Sequence, residues 1–115
     1  MIKIEIMRDR EEVIKGYKVT GHSRYREKGE DIVCAAISAL SLTGMMAGEK
    51  LASAALTEEP REGYVTFRAP EQLDYYQKRD LQIIMETVVI GMYQTARNYP
   101  GTITIYDEGG EYTWY

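Results

Sequence analysis

The sequence predicts an α+β fold: one domain in the order ββαβαβ, with a mixed sheet of about four strands covered on one face by two helices. Three observations carry that expectation. Ile2, Ile4 and Ile6 alternate with Lys3 and Glu5, the two-residue period of a half-buried strand. Two long segments place apolar residues three and four positions apart, the period of a helix packed on one side. The 115 residues show no repeat, linker or low-complexity stretch, and they suffice to bury a core without disulfide or metal.

After the first strand, Asp9-Arg10-Glu11-Glu12 is a polar turn, and residues 13–20 return as the second strand of a hairpin. Periodicity is lost over residues 21–30, a polar loop bracketed by Gly21 and Gly29. Asp31 has the character of a helix N-cap, its carboxylate able to accept from N–H groups two or three residues on. The helix that follows is expected to run to about residue 55. Val33, Ile37, Leu40, Gly44, Ala47 and Leu51 form the stripe expected to face the sheet. Cys34, Ser38, Ser41, Met45 and Gly48 form a second stripe of mostly small side chains, expected to face outward, where another backbone can approach. Residues 57–63, with Pro60 and Gly63, read as a turn, and residues 64–68 as a third strand closed by Pro70. A second helix over residues 73–98 is expected to bury Leu81, Ile84, Met85, Val88, Val89, Met92 and Ala96. Tyr99-Pro100-Gly101 stops it, because proline cannot continue a helix. Residues 102–106 make the last strand. The acidic, aromatic tail, residues 107–115, has no assignable structure.

Composition narrows the function classes. A lone cysteine cannot make an internal disulfide and points to a reducing, cytoplasmic setting. The N-terminus lacks the unbroken apolar run of a signal peptide, and no stretch approaches the ~18 apolar residues of a membrane span. A net charge of −4 disfavours direct nucleic-acid binding through phosphate neutralisation. The ten tyrosines are expected mostly at the core edge, with hydroxyls in water.

His22 is the only imidazole and Cys34 the only thiol, so any cysteine–histidine chemistry uses this pair, and a metal site of such ligands would be short of them. With Asp31 as N-cap, Cys34 is the third helical residue, near unpaired N–H groups and the positive end of the helix dipole, which favour thiolate. The carboxylate of Asp31 opposes that effect, so its role is better read as orienting the first turn or the histidine ring. His22 can take the thiol proton and return it to a leaving amine, and backbone N–H groups at the helix start are candidate oxyanion donors. Ser38, one turn beyond the sulfur on the same face, can hydrogen-bond sulfur, histidine or substrate. The plainer readings stand beside these: a cysteine between Val33 and Ala35 packs as a small hydrophobe, and a histidine in a polar loop is solvated.

Gly21-His22 followed by Gly29-Glu30-Asp31-Ile32-Val33-Cys34-Ala35-Ala36-Ile37-Ser38 resembles the signature of the Prp family, the ribosomal-processing cysteine proteases of Firmicutes and related bacteria. Length, element order, Gly91 in the second helix and Tyr99-Pro100 before the last strand also fit. The resemblance implies a cysteine endopeptidase that removes the N-terminal extension of a large-subunit ribosomal protein, cutting after an aromatic residue. It implies Cys34 as nucleophile and His22 as general base, with Gly21, Asp31 and Ser38 needed for site geometry. It further implies a homodimer, no metal and no cofactor. Ser23 stands where the family commonly has alanine, and Arg24, Arg26 and Lys28 make this loop unusually basic, which should weaken attraction for a strongly basic substrate. The alternative is a non-catalytic, ribosome-associated peptide-binding module in which the thiol is merely packed; acyl transfer on a small substrate is a third option, without a nucleotide or pantetheine site to support it.

Overall fold

The computed structural model describes residues 1–21, 28–58 and 64–107. Along them run β1 (Ile2–Arg8), β2 (Ile14–Thr20), α1 (Lys28–Leu51), β3 (Thr57–Glu58), β4 (Tyr64–Arg68), α2 (Tyr75–Asn98) and β5 (Ile103–Asp107). The sheet has the order β3-β4-β2-β1-β5; β5 runs parallel to β1 and every other pairing is antiparallel. The α+β, mixed-sheet expectation holds, with four long strands as anticipated. The addition is β3, inside the stretch read as a turn: two residues are too few to show a two-residue period.

Strand alternation sets the layers. Ile2, Ile4, Ile6, Tyr17, Val19, Val65 and Phe67 are buried on the face that carries the helices. Phe67 meets Tyr17 edge-on, with ring centroids 4.3 Å apart. The register aligns Lys3, Glu5, Lys18, Thr66, Thr104 and Tyr106 on the opposite, polar face, where Lys3 pairs with Glu5 and lies over the Tyr106 ring.

Two expectations for α1 need correction. The helix begins at Lys28, inside the stretch read as loop, so Asp31 is not its N-cap but a first-turn residue, and Cys34 is the seventh helical residue. Glu30 and Asp31 are residue types that suit the positive end of a helix, whereas Gly29 has low helix propensity. The helix also stops at Leu51 rather than near residue 55. The second correction concerns the stripe of small residues, which faces inward: Cys34, Ser41, Met45 and Gly48 are buried, whereas Leu51 is 72 % exposed and Leu40 and Ala47 are half-buried. The reason is that α1 packs on two partners at once. Its buried arc is therefore wide, and small residues occupy the seam with α2. At Gly44 a Cβ would come within 2.6 Å of Val88 Cγ2 and 2.9 Å of Tyr17 Oη, so only glycine admits both.

By length and composition the Ile32–Leu51 stretch is apolar enough to cross a membrane, contrary to the sequence expectation. Its inward arc is nonetheless occupied by the core of a two-layer domain. The second helix starts with a capping box: Asp74 accepts from the Gln77 N–H at 2.8 Å, and Gln77 accepts from the Asp74 N–H at 3.1 Å. Leu81, Met85, Val88, Val89 and Met92 are buried as expected; Ile84 and Ala96 are half-buried. Tyr99 caps the end ahead of Pro100, its N–H donating to the Thr95 carbonyl.

At the far end of β1, Arg8 is held in a buried network. Its guanidinium donates to both oxygens of Asp107 (2.7 and 3.2 Å), to both of Glu86 (2.9 and 3.2 Å) and to the Glu12 carbonyl. Burial works against its charge, but the hydrogen bonds to Asp107 and Glu86 win and raise its pKa. This fastens β1, β5, α2 and the hairpin turn together. In that turn Asp9 accepts from the N–H groups of Glu11 (2.8 Å) and Val13 (3.1 Å). Slight desolvation raises its pKa, but those two bonds, with Lys15 and Lys78, hold it below the ordinary 3.8. A depressed carboxyl lends stability above its unfolded pKa and loses it as pH falls through the folded value. An NMR titration of the Val13 amide should therefore give a midpoint below 3.8.

Candidate active site

Cys34 lies on the inward face of α1, 2 % exposed, between Val33 (0 %) and the exposed Ala35. With α1 starting at Lys28, the N–H groups lacking intrahelical partners belong to residues 28–31, so the Cys34 N–H is not among them. Oxyanion donors at this helix start would come from the first turn, ahead of the sulfur. Ser38, one turn on, is half-buried. Residues 32–48 contain no charged side chain, so nothing on this part of α1 supplies a cation to the thiol.

The position of Cys34 relative to β2 follows from one anchor. Tyr17 is fully buried, and its hydroxyl donates to the Ser41 carbonyl at 2.5 Å, while Ser41 Oγ donates to the Ile37 carbonyl at 2.7 Å. Burial pushes the Tyr17 phenol well above its ordinary pKa, so it stays protonated and able to donate. The link at residues 52–56 brings the end of α1 to Thr57, paired with Arg68, which is paired with Gly16. α1 therefore runs antiparallel to β2. From the Tyr17–Ser41 anchor, Cys34 lies seven residues back along the helix, ~10 Å of rise. Gly21 lies four residues on along the strand, ~13 Å. Both displacements lead to the same end of the molecule. Sequence reasoning missed this anchor by placing tyrosine hydroxyls in water; the signal was present in the shared parity of Tyr17 and Val19, which puts both on the inner face.

Gly21 closes β2 with φ +93°, and a Cβ there would be driven into the Met1 carbonyl oxygen. Glycine is thus required where the chain leaves the sheet toward His22. Gly21→Ala should lose about 1–2 kcal/mol from the left-handed backbone alone. Its melting temperature should fall by roughly 4–8 °C per kcal/mol, read by calorimetry. His22, Ser23, Arg24 and Arg26 lie outside the described residues, as do Pro60, Gly63 and the tail beyond Asp107. Gly21, Cys34 and Ser38 are placed; Asp31 is placed as a first-turn residue of α1. Among the described residues no three His, Cys, Asp or Glu side chains gather as a metal-ligand set.

Comparison with known proteins points to one family. A family model described as cysteine protease Prp matches residues 1–104. The ribosomal processing cysteine protease Prp of Bacillus subtilis is 28 % identical over 107 residues, covering 91 % of this chain and 96 % of that protein. Two crystal structures of the S. aureus ribosomal processing protease Prp share the fold. The complex with a substrate peptide gives a TM-score of 0.84 at 22 % identity, and the complex with a covalently linked product peptide 0.80 at 23 %. Each covers 94 % of this chain and 100 % of the S. aureus chain.

Proposed function

The chain belongs to the cysteine protease Prp family, and from that premise we propose that it processes a ribosomal protein with Cys34 as nucleophile and His22 as general base. The observation that carries the reading is the antiparallel run of α1 and β2, which brings Cys34 and Gly21, the residue before His22, to one end of the molecule. The substrate is the N-terminal extension of a large-subunit ribosomal protein, cut after an aromatic residue. The B. subtilis relative carries ribosomal processing in its name, and the covalently linked product peptide in the S. aureus protease fits a nucleophilic cysteine.

In the proposed reaction His22 accepts the thiol proton as Cys34 Sγ attacks the scissile carbonyl. The tetrahedral oxyanion is met by N–H groups of the first turn of α1. His22 then protonates the leaving amine, the C–N bond breaks, and a thioester remains on Cys34. Water, deprotonated by His22, attacks that thioester and frees the new carboxylate and the thiol. Neither metal nor cofactor is required. Gly21 sets the departure of the loop, while Asp31 and Ser38 orient the dyad or the substrate. The enzyme works in the cytoplasm, as a homodimer.

The test is mass spectrometry of an N-terminally extended large-subunit ribosomal protein incubated with this chain, with Cys34→Ala and with His22→Ala. One cut after an aromatic residue, absent with both variants, is the expected result. The peptide-binding reading draws on the 2 % exposure of Cys34, which also suits a packed thiol. It predicts an intact extension retained on the protein, and that outcome would replace the protease reading.

A further inference from the structure

We propose that Tyr17 is a positioning residue for the reaction: its hydroxyl fixes the height of α1 on the sheet, and so the place of the Cys34 sulfur beside the loop that leaves Gly21. The inference rests on the Cys34/His22 reading above and adds a residue that acts on the dyad only through the helix. Tyr17 lies on β2, the middle strand of the five, with β1 on one side and β4 on the other. Its backbone pairs with Ile6 and with Phe67. Its ring is fully buried and stands edge-on to Phe67. The hydroxyl therefore reaches toward the helix from a ring that is held on both sides.

What the hydroxyl meets is backbone. Tyr17 Oη donates to the Ser41 carbonyl at 2.5 Å, and Ser41 Oγ donates to the Ile37 carbonyl at 2.7 Å, one turn from Cys34. Hydrophobic contact is non-directional, so apolar packing resists a slide along the helix axis poorly. A hydrogen bond weakens steeply with distance and angle, and it opposes such a slide. Gly44 belongs to the same device. A Cβ there would stand 2.9 Å from Tyr17 Oη, so glycine keeps open the route of the phenol to the carbonyl. Burial keeps the phenol protonated and able to donate. A slide of about 1 Å would carry Cys34 equally far against β2, and a misplacement of that size costs about 10²-fold in rate.

Tyr17→Phe keeps the ring and removes only the oxygen. The Ser41 carbonyl retains the Met45 N–H, its partner within the helix, so no buried acceptor is stranded and the variant should fold. With a peptide spanning the N-terminal extension of a large-subunit ribosomal protein, kcat should fall about 10- to 100-fold while KM holds. Calorimetry should find equal affinity for that peptide in Cys34→Ala and in Cys34→Ala/Tyr17→Phe. Ile14→Val trims a buried side chain at the opposite end of β2; it should lower the melting temperature and leave kcat unchanged. Gly44→Ala in a Val88→Ala background, where the new methyl presses on the phenol alone, should repeat the kcat loss relative to Val88→Ala. Parental kcat in Tyr17→Phe overturns the positioning role and leaves the dyad intact. An equal kcat loss in Ile14→Val does the same, since it would mean general softening of the core. A parent that binds the peptide and never cleaves it overturns the dyad reading, and this assignment with it.

Discussion

Cys34→Ala should lower the single-turnover rate of peptide cleavage by about 10⁴-fold or more, the scale expected when the nucleophile of a covalent mechanism is removed. The same change deletes one small buried atom, so stability should move by about 1 kcal/mol. Loss of activity with a nearly unmoved melting curve separates chemistry from folding. His22→Ala should fall to a similar floor, and the double variant should be no slower than Cys34→Ala alone, because in the proposed dyad nucleophile and base act as one unit. Multiplicative losses in the double variant would mean the two residues contribute independently, and the dyad would have to be abandoned.

Arg8→Ala should be the most damaging single substitution for stability among those considered. The Arg8 side chain is 5 % exposed and that of Asp107 3 %, so the substitution takes the guanidinium and its two hydrogen bonds away from a buried carboxylate. Removing one partner of such a pair costs about 3–5 kcal/mol. Part of a typical domain's 5–15 kcal/mol would disappear with one guanidinium. Tyr93, whose hydroxyl lies 3.4 Å from Asp107 Oδ2, makes too long a contact to compensate. Urea unfolding should show the midpoint displaced accordingly, and a shift corresponding to less than about 1 kcal/mol would show that the network is solvated in practice.

Much of this architecture was legible from residue order because single-element patterns dictate it. The Ile2, Ile4, Ile6 alternation needs no partner to be recognised, and Pro100 ends α2 whatever surrounds it. Features set by two elements together were not legible. The direction of the small stripe on α1 depends on α2 lying against it, and Val88 opposite Gly44 cannot be inferred from either position alone. Asp31 looked like a cap because caps are local signatures, yet Glu30 and Asp31 serve equally well inside a first turn, and α1 starts at Lys28. For the site, residue type and spacing single out Cys34, His22, Asp31 and Ser38 as candidates, and the family resemblance adds Gly21. What these signals lacked was the Tyr17–Ser41 hydrogen bond, a contact between residues 24 apart that sets the height of the helix against the strand.

The pairing of β1 with β5 has a bearing on how the protein comes into being. The Arg8–Asp107 bond joins positions separated by 99 residues, and the parallel ladder beside it has the same reach. Contacts that distant form slowly, because a long loop must close before they return any stabilisation. During translation β1 can find β2 early, but one side of it stays bare until residues 103–107 have been made. The hairpin must therefore wait with an unpaired edge, the condition under which strands of neighbouring molecules associate wrongly. Competence to cut should thus appear abruptly in the life of each polypeptide, with the arrival of β5.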